Sequence, residues 1–148
     1  MNAIELLKTD HQRISGLFEL AQQKKDFKGV REVFQEIRKE LDIHAYIEET
    51  HFYPLFQKRK GFEELVNHSL DEHSEMKELL SELDALGEDS NAFKERLDEL
   101  QDVVEDHVED EEEEFFPKVL KELGDEELQQ LGMRLAEAKT SMPGASAA

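Results

Sequence analysis

Apolar residues recur every three or four positions through almost the whole chain, and alternation of period two is rare. That spacing predicts helices. A first helix is expected over Ala3–Gln23, with Ile4, Leu7, His11, Ile14, Phe18 and Ala21 on one stripe. After the polar connector Lys24–Gly29, a second runs from near Val30 to Phe56, with Phe34, Ile37, Leu41, His44, Glu48, His51 and Leu55 inward. Pro54 disturbs or ends its last turn. A third covers Phe62–Leu86, with Leu65, Ser69, His73, Met76, Leu80 and Leu83 inward. Gly87 and Ser90 read as a stop and a fresh cap, and a fourth helix spans Asn91–Leu123 with Phe93, Leu97, Leu100, Val104, His107, Glu111 and Glu114 inward. Gly124 and Asp125 read as a C-terminal stop and an N-cap for a short fifth helix through Lys139, carrying Leu128, Leu131 and Leu135. Short connectors make neighbouring helices antiparallel. The expected fold is therefore all-α, an up-down-up-down antiparallel four-helix bundle with a short fifth C-terminal helix. It forms one domain over residues 1–139, followed by a small, polar, disordered tail at 140–148.

The inward stripes contain residues that an apolar core does not accept, and these form an internal repeat. The first half has Asp10-His11, then His44 and Glu48, then Phe52-Tyr53-Pro54; the second has Glu72-His73, then His107 and Glu111, then Phe115-Phe116-Pro117. Residues four apart on a helix differ by about 40° and about 6 Å in rise, so His44 with Glu48, and His107 with Glu111, share a face. Each pair continues an apolar stripe, as do His11 and His73. Four helices thus send His, His-x-x-x-Glu, His and His-x-x-x-Glu toward one interior region.

Buried polar groups need partners: an unpaired side chain costs on the order of 1–3 kcal/mol and an isolated carboxylate much more. Against a net stability of roughly 5–15 kcal/mol, such a set without partners does not survive. Neutral imidazole and carboxylate are good ligands for divalent first-row metals, and two carboxylates can bridge two ions while imidazoles fill terminal positions. The set is too large for one tetrahedral zinc and too rich in nitrogen for calcium or magnesium. Taken singly, an inward His is more often a hydrogen-bonded core residue, and a lone His-x-x-x-Glu pair a solvent-face pairing; the duplication favours the metal. In the acidic run Glu109–Glu114, only Glu111 is a candidate ligand and the rest is a solvated surface. His51 and its repeat counterpart Glu114 read either as groups that orient or supplement the ligands, or as a half-exposed pair near the bundle end. His68, about 140° from His73, is placed on the surface.

Composition narrows the remaining classes. The 148 residues carry a formal charge of -19, which argues against nucleic-acid binding and against anionic membrane surfaces. There is no Cys, which excludes disulfides, thiolate chemistry, iron–sulfur clusters and Cys-based zinc sites. No apolar stretch approaches the roughly 18–20 residues of a membrane helix, and Met1–Lys8 lacks a signal-peptide pattern, so a cytoplasmic protein is expected.

The motifs DH at Asp10-His11, HAYIEETHFYP at His44–Pro54, EH at Glu72-His73 and HVEDEEEEFFP at His107–Pro117 resemble those of the hemerythrin-like, or HHE cation-binding, family. The resemblance covers nearly all of Ala3–Leu120. It implies a bundle holding two iron ions, oxo-, hydroxo- or water-bridged, with carboxylate bridges from Glu48 and Glu111 and imidazoles from His11, His44, His73 and His107. The order His-x-x-x-Glu differs from the Glu-x-x-His of ferritin-like di-iron proteins. One departure stands out. The oxygen-carrying members are expected to have a fifth His one turn from the helix-3 His, where this chain has Ser69 and Lys77. Three functional classes follow: a module that binds dioxygen, nitric oxide, peroxide or a related small ligand; a di-iron oxidoreductase reducing peroxide or dioxygen or acting as a ferroxidase; and an iron sensor or buffer. The first is favoured.

Overall fold

A computed structural model describes residues 1–142. All regular structure among them is helical: α1 (Ala3–Gln23), α2 (Phe27–Ile47), α3 (Glu63–Ala85), α4 (Ser90–Asp110), α5 (Phe116–Glu122) and α6 (Asp125–Ser141). Side-chain pairs fix the directions. Gln22 meets Asp98 while His11 meets Glu111 and Glu112, so α1 and α4 run antiparallel. Arg38 pairs with Asp84 while Lys77 pairs with Glu49, which sets α2 against α3 in the same way. The expected bundle forms, and no helix among the described residues is long and apolar enough to cross a membrane.

Local chemistry explains the boundaries, including those that differ from expectation. Asn2 and Glu5 form a reciprocal capping box at the start of α1. Helix α2 begins at Phe27 rather than near Val30, because the Asp26 side chain accepts from the Gly29 N–H at 2.8 Å. Asp89, not Ser90, caps α4, and Gly87 takes a positive φ of 62° in the turn before it. Gly124 itself is the N-cap of α6, with its N–H donating to Glu127, so Asp125 already lies inside the helix. Helix α6 runs on to Ser141, past the expected boundary at Lys139; residues 143–148 of the expected tail lie outside the described residues.

The largest departure lies after the two His-x-x-x-Glu pairs. A π-helical turn opens at Glu48–Phe52 and another at Glu111–Phe115, each closed by an i→i+5 bond, from Tyr53 N–H to Glu48 C=O and from Phe116 N–H to Glu111 C=O. Pro54 and Pro117 follow. Proline has no N–H to give the carbonyl four residues back and its ring crowds that carbonyl, and a widened turn relieves both problems. The extra residue rotates everything downstream. Phe52, Tyr53 and Phe56 are buried where His51 and Leu55 were expected inward, and Leu55 is exposed. Likewise Phe115 and Phe116 are buried, and Glu114 is exposed. In α3 the inward residue at the first turn is Val66 rather than Leu65.

The core has two apolar blocks. One is aromatic-rich, with Phe52, Tyr53, Phe56, Phe62, Phe115 and Phe116 joined by Leu128, Leu131 and Leu135 of α6. The other contains Ile14, Phe18, Phe34, Ile37, Leu80, Phe93 and Leu100, deeper in the bundle. Helix α6 packs on α1, α2 and the first π turn. Gly132 allows this, because a Cβ there would stand 2.5 Å from the Met1 carbonyl oxygen.

Candidate metal centre

Between the two apolar blocks lies a single polar layer. His11 of α1, His44 of α2, His73 of α3 and His107 of α4 are all buried, together with Glu48 and Glu111, which are wholly inaccessible. All six expected ligand residues therefore occupy one place, as the periodicity required. His73 and His107 bring their Nε2 atoms to 3.2 Å of each other. Glu48 Oε1 lies 3.0 Å from His73 Nε2 and 3.3 Å from His44 Nε2, and Glu111 Oε1 lies 3.1 Å from His11 Nε2 and 3.4 Å from His107 Nε2. Donor atoms cluster in two groups: His11, His44, Glu48 and Glu111, and Glu48, His73 and His107. Glu48 belongs to both.

The opposite ring nitrogens look outward. His44 Nδ1 donates to Asp10 at 3.0 Å and His107 Nδ1 to Glu72 at 2.8 Å; His11 Nδ1 donates to Glu112 and His73 Nδ1 to Glu49, both at 2.7 Å. The arrangement has an approximate twofold relation. Asp10 and Glu72 precede the single His of each half, and Glu49 and Glu112 follow the bridging-type Glu. Spacing arguments missed these four carboxylates as site residues. The signal was available, since Asp10-His11 and Glu72-His73 stand in the repeat, and Glu49 and Glu112 are neighbours of ligands. Each Nδ1 bond fixes the tautomer with its lone pair on the inward Nε2, the arrangement typical of metal-bound imidazole.

Tyr53 is a further group the periodicity misplaced. Because the π turn swings it inward, its hydroxyl donates to Glu111 Oε2 at 2.6 Å and lies 3.0 Å from Glu48 Oε1 and 3.2 Å from His73 Nε2. Its repeat mate Phe116 has no hydroxyl and stacks on His11. At the fifth-His positions, Ser69 is buried, while Lys77 is half-exposed and pairs with Glu49. His51 packs edge-on to Tyr46 and, like exposed Glu114, stays outside the cluster.

Electrostatics describe a site that wants positive charge. Burial alone would lower the His44 imidazole, but the charge of Glu48 and the hydrogen bond to Asp10 raise it to about 10. Burial opposes protonation of His11, His73 and His107 as well, and neighbouring carboxylates outweigh it in each. Glu48 is pushed up by burial and pulled further down, well below the usual carboxylate range, by His44, His107 and His73. Burial and the charges of Glu111 and Glu48 hold the Tyr53 phenol well above its ordinary value. Among the described residues, six carboxylates, Asp10, Glu48, Glu49, Glu72, Glu111 and Glu112, have only Lys77 and Lys139 as fixed cations in contact. Four imidazolium protons would balance the difference, and so would two divalent ions. Among the described residues, the buried atoms His44 Nε2 and Glu48 Oε2 find no hydrogen-bond partner, and both belong to residues of this cluster. The donor set thus fits a pair of divalent metals.

Against the imidazoles, on the aliphatic side, lies a cavity of about 20 Å³ lined by Ile14, Leu41, Met76, Leu80 and Val104 with almost no polar surface. That volume suits one water-sized molecule.

Comparisons with known proteins agree with this geometry. The family model described as Hemerythrin HHE cation binding domain matches residues 2–119. A DNA nickase of Nostoc sp. is 34% identical over 142 residues, 96% of this chain, and the chain spans 40% of that relative's length. An uncharacterized hemerythrin-like protein of Schizosaccharomyces pombe is 26% identical over 90% of this chain and 67% of that protein. The crystal structure of a hemerythrin HHE cation binding domain-containing protein from Mycobacterium kansasii superposes with a TM-score of 0.80 at 28% identity, covering 93% of this chain and 84% of that one.

Proposed function

The chain belongs to the family of hemerythrin HHE cation-binding domains, and on that premise we propose that it holds two iron ions and binds dioxygen or a related small ligand. The ligand residues are His11, His44, Glu48, His73, His107 and Glu111. One observation carries the reading: four inward Nε2 atoms converge on two buried glutamates while every Nδ1 is tied to an outer carboxylate. When bound, the ion pair supplies redox-active, Lewis-acidic positions for a small ligand such as dioxygen, nitric oxide or peroxide. The chain's own residues do the rest. Asp10, Glu49, Glu72 and Glu112 orient the imidazoles and raise their basicity. Ile14, Leu41, Met76, Leu80 and Val104 exclude bulk water from the adjoining cavity, which slows proton delivery and favours binding over turnover. Imidazole with carboxylate suits several first-row ions, and the need for a redox-active one favours iron.

Tyr53 favours a second reading, an oxidoreductase. Its phenol is the nearest proton donor to Glu111 and gives the site a proton source that the apolar cavity does not. The DNA nickase resembles this domain over part of its length only, and a charge of -19 disfavours carrying that activity over. Metal analysis with ultraviolet–visible spectra, taken anaerobically after reduction and again in air, tests the proposal. About two irons per chain and a band that appears in air and reverses on removing oxygen are expected. Irreversible oxidation or peroxide turnover would move the assignment to the oxidoreductase. Failure to bind any transition metal would sink both readings.

A further inference from the structure

At the end of the bundle away from the polar layer, the close of α1 and the starts of α2 and α4 surround a hollow of about 250 Å³. Along α2, its wall residue Phe27 stands roughly 25 Å from His44. We infer that this hollow is a second ligand site, separate from the metal centre, for a small organic anion with an aromatic or aliphatic body.

The floor is apolar. Ala21, Phe93 and Leu97 are buried there, and Phe27 and Val30 are half-buried. Phe27 meets Phe93 edge to face with ring centroids 5.4 Å apart, and Phe93 meets Phe34 in the same way at 5.3 Å. Two bridges tie the surrounding elements together. Gln22 of α1 donates to Asp98 of α4 at 2.9 Å, and Arg31 of α2 donates to the Gly87 carbonyl, in the turn before α4, at 3.0 Å. A preformed hollow with an aromatic floor and a few polar groups at its rim is the usual form of a small-molecule site.

The rim selects the charge. It carries three ammonium groups, Lys24, Lys25 and Lys94, and two carboxylates, Asp26 and Asp98. Both carboxylates are already engaged: Asp26 accepts from the Gly29 N–H as the cap of α2, and Asp98 accepts from Gln22. Among the described residues the lysines that form ion pairs are Lys77 and Lys139, so none of these three does. Gly29 leaves room for the Lys24 stem, because a Cβ there would stand 3.2 Å from Lys24 Cδ. Ser90 and Asn91 add a hydroxyl and an amide as further donors. The size of the hollow limits the class of anion. A polyanion or a membrane surface would meet the rest of a chain of charge -19, whereas an anion seated here lies within about 8 Å of the ammonium groups, where salt screens least. An inorganic anion would leave the aromatic floor uncovered.

The test uses the full chain and two probes of one shape, 2-naphthoate and its neutral amide, 2-naphthamide. Both are titrated by their own fluorescence, which the absence of Trp leaves clear. Naphthoate should bind wild type at about one equivalent and at least about tenfold more tightly than the amide, with the gap narrowing at high salt. The double variant Lys25→Glu with Lys94→Glu should weaken naphthoate at least about tenfold and leave the amide unchanged. Lys58→Glu with Lys60→Glu makes the same change of charge outside the hollow and should leave both probes as in wild type. None of these readings depends on what the inner residues hold. Equal affinity for the two probes would overturn the assignment to an anion. Equal weakening in both double variants would reflect net charge alone and overturn the placement. No binding of naphthoate to wild type would overturn the site.

Discussion

The two halves of the bundle carry the same ligands in the same order and treat them differently. In the first half, α6 lies over the outer carboxylate Asp10 and Lys139 pairs with it; in the second, Glu72 faces solvent-exposed His68. Tyr53 puts a hydroxyl between the two buried glutamates, whereas Phe116 stacks its ring on His11. The chain also leaves the two π turns by different routes. The first π turn runs into a short 3₁₀ turn, Tyr53–Leu55, that contains Pro54; the second runs directly into α5, with Pro117 in its first turn. What is duplicated is the machinery for holding ions. What differs is proton supply and access, the features that decide what bound ions do.

The largest effect expected is on the two buried carboxylates. Glu48 Oε1 lies against His44 and His73, and Glu111 Oε1 against His11 and His107, so each reaches imidazoles of both groups. Glu48→Ala and Glu111→Ala should each lose most of the bound metal. Removing one member of a buried charged set costs roughly 3–5 kcal/mol, or about 10 °C in melting temperature for a chain of this size. Elemental analysis alongside thermal melting checks this, and full metal content in either variant would remove that carboxylate from the ligand set. Next come the outer carboxylates. Asp10→Asn and Glu72→Gln should each weaken metal affinity by about 10–100-fold in competition with a chelator. Asp10→Asn should be the worse, because Asp10 is only 2% exposed and its loss of charge also leaves the Lys139 ammonium without its carboxylate. The reverse order would mean that α6 does not hold the first half.

Most of the fold and all six proposed ligands were legible because periodicity reports faces reliably while the helix stays α. His11, His44 and Glu48 lie on stripes begun by Ile4 and Phe34, and the structure buries each of them. Legibility fails where the helical period changes. Extrapolating 3.6 residues per turn past Glu48 put His51 and Leu55 inside and kept Tyr53 off the site, because nothing in an apolar count signals an i→i+5 turn. The two prolines were the available hint, six residues after each glutamate, and only Pro54 was read as a disturbance. His68 was correctly placed on the surface, but its pairing with Asp110 needs the register between α3 and α4, which helical spacing alone does not provide.

The hydroxyl that separates the halves allows a reciprocal exchange. Tyr53→Phe removes the donor from Glu111 Oε2 and should destabilise the metal-free protein by about 1–3 kcal/mol while leaving metal content intact. Phe116→Tyr adds a hydroxyl at a wholly buried position packed against Phe52 and His11, and should destabilise by about 1–3 kcal/mol through the extra volume. Function separates the variants. If Tyr53 supplies protons, peroxide turnover falls at least about tenfold in Tyr53→Phe, as loss of a general acid predicts. If the site only binds its ligand, the variant keeps reversible spectra. A Tyr53→Phe protein with unchanged turnover would remove the oxidoreductase reading's main support.

The smallest effect expected comes from Lys77, and it sets the scale for the others. Its side chain is 55% exposed and pairs with Glu49, which is itself partly exposed, at 2.8 Å. Exposed pairs of this kind contribute about 0–1 kcal/mol, so Lys77→Met should change metal affinity by less than about fivefold. Lys139 makes the same kind of contact with Asp10 but is 24% exposed against a partner at 3%. Water screens it less, and Lys139→Met should therefore weaken metal binding more than Lys77→Met does. Lys77 also lines the cavity beside the imidazoles, so its loss should show first in the rate of ligand binding rather than in metal affinity. Stopped-flow measurement of nitric oxide binding to the reduced protein, beside chelator competition, reads both quantities. If Lys77→Met cost as much metal affinity as Lys139→Met, burial would not be what ranks the outer partners, and the contrast between a covered and an open half would lose its physical basis.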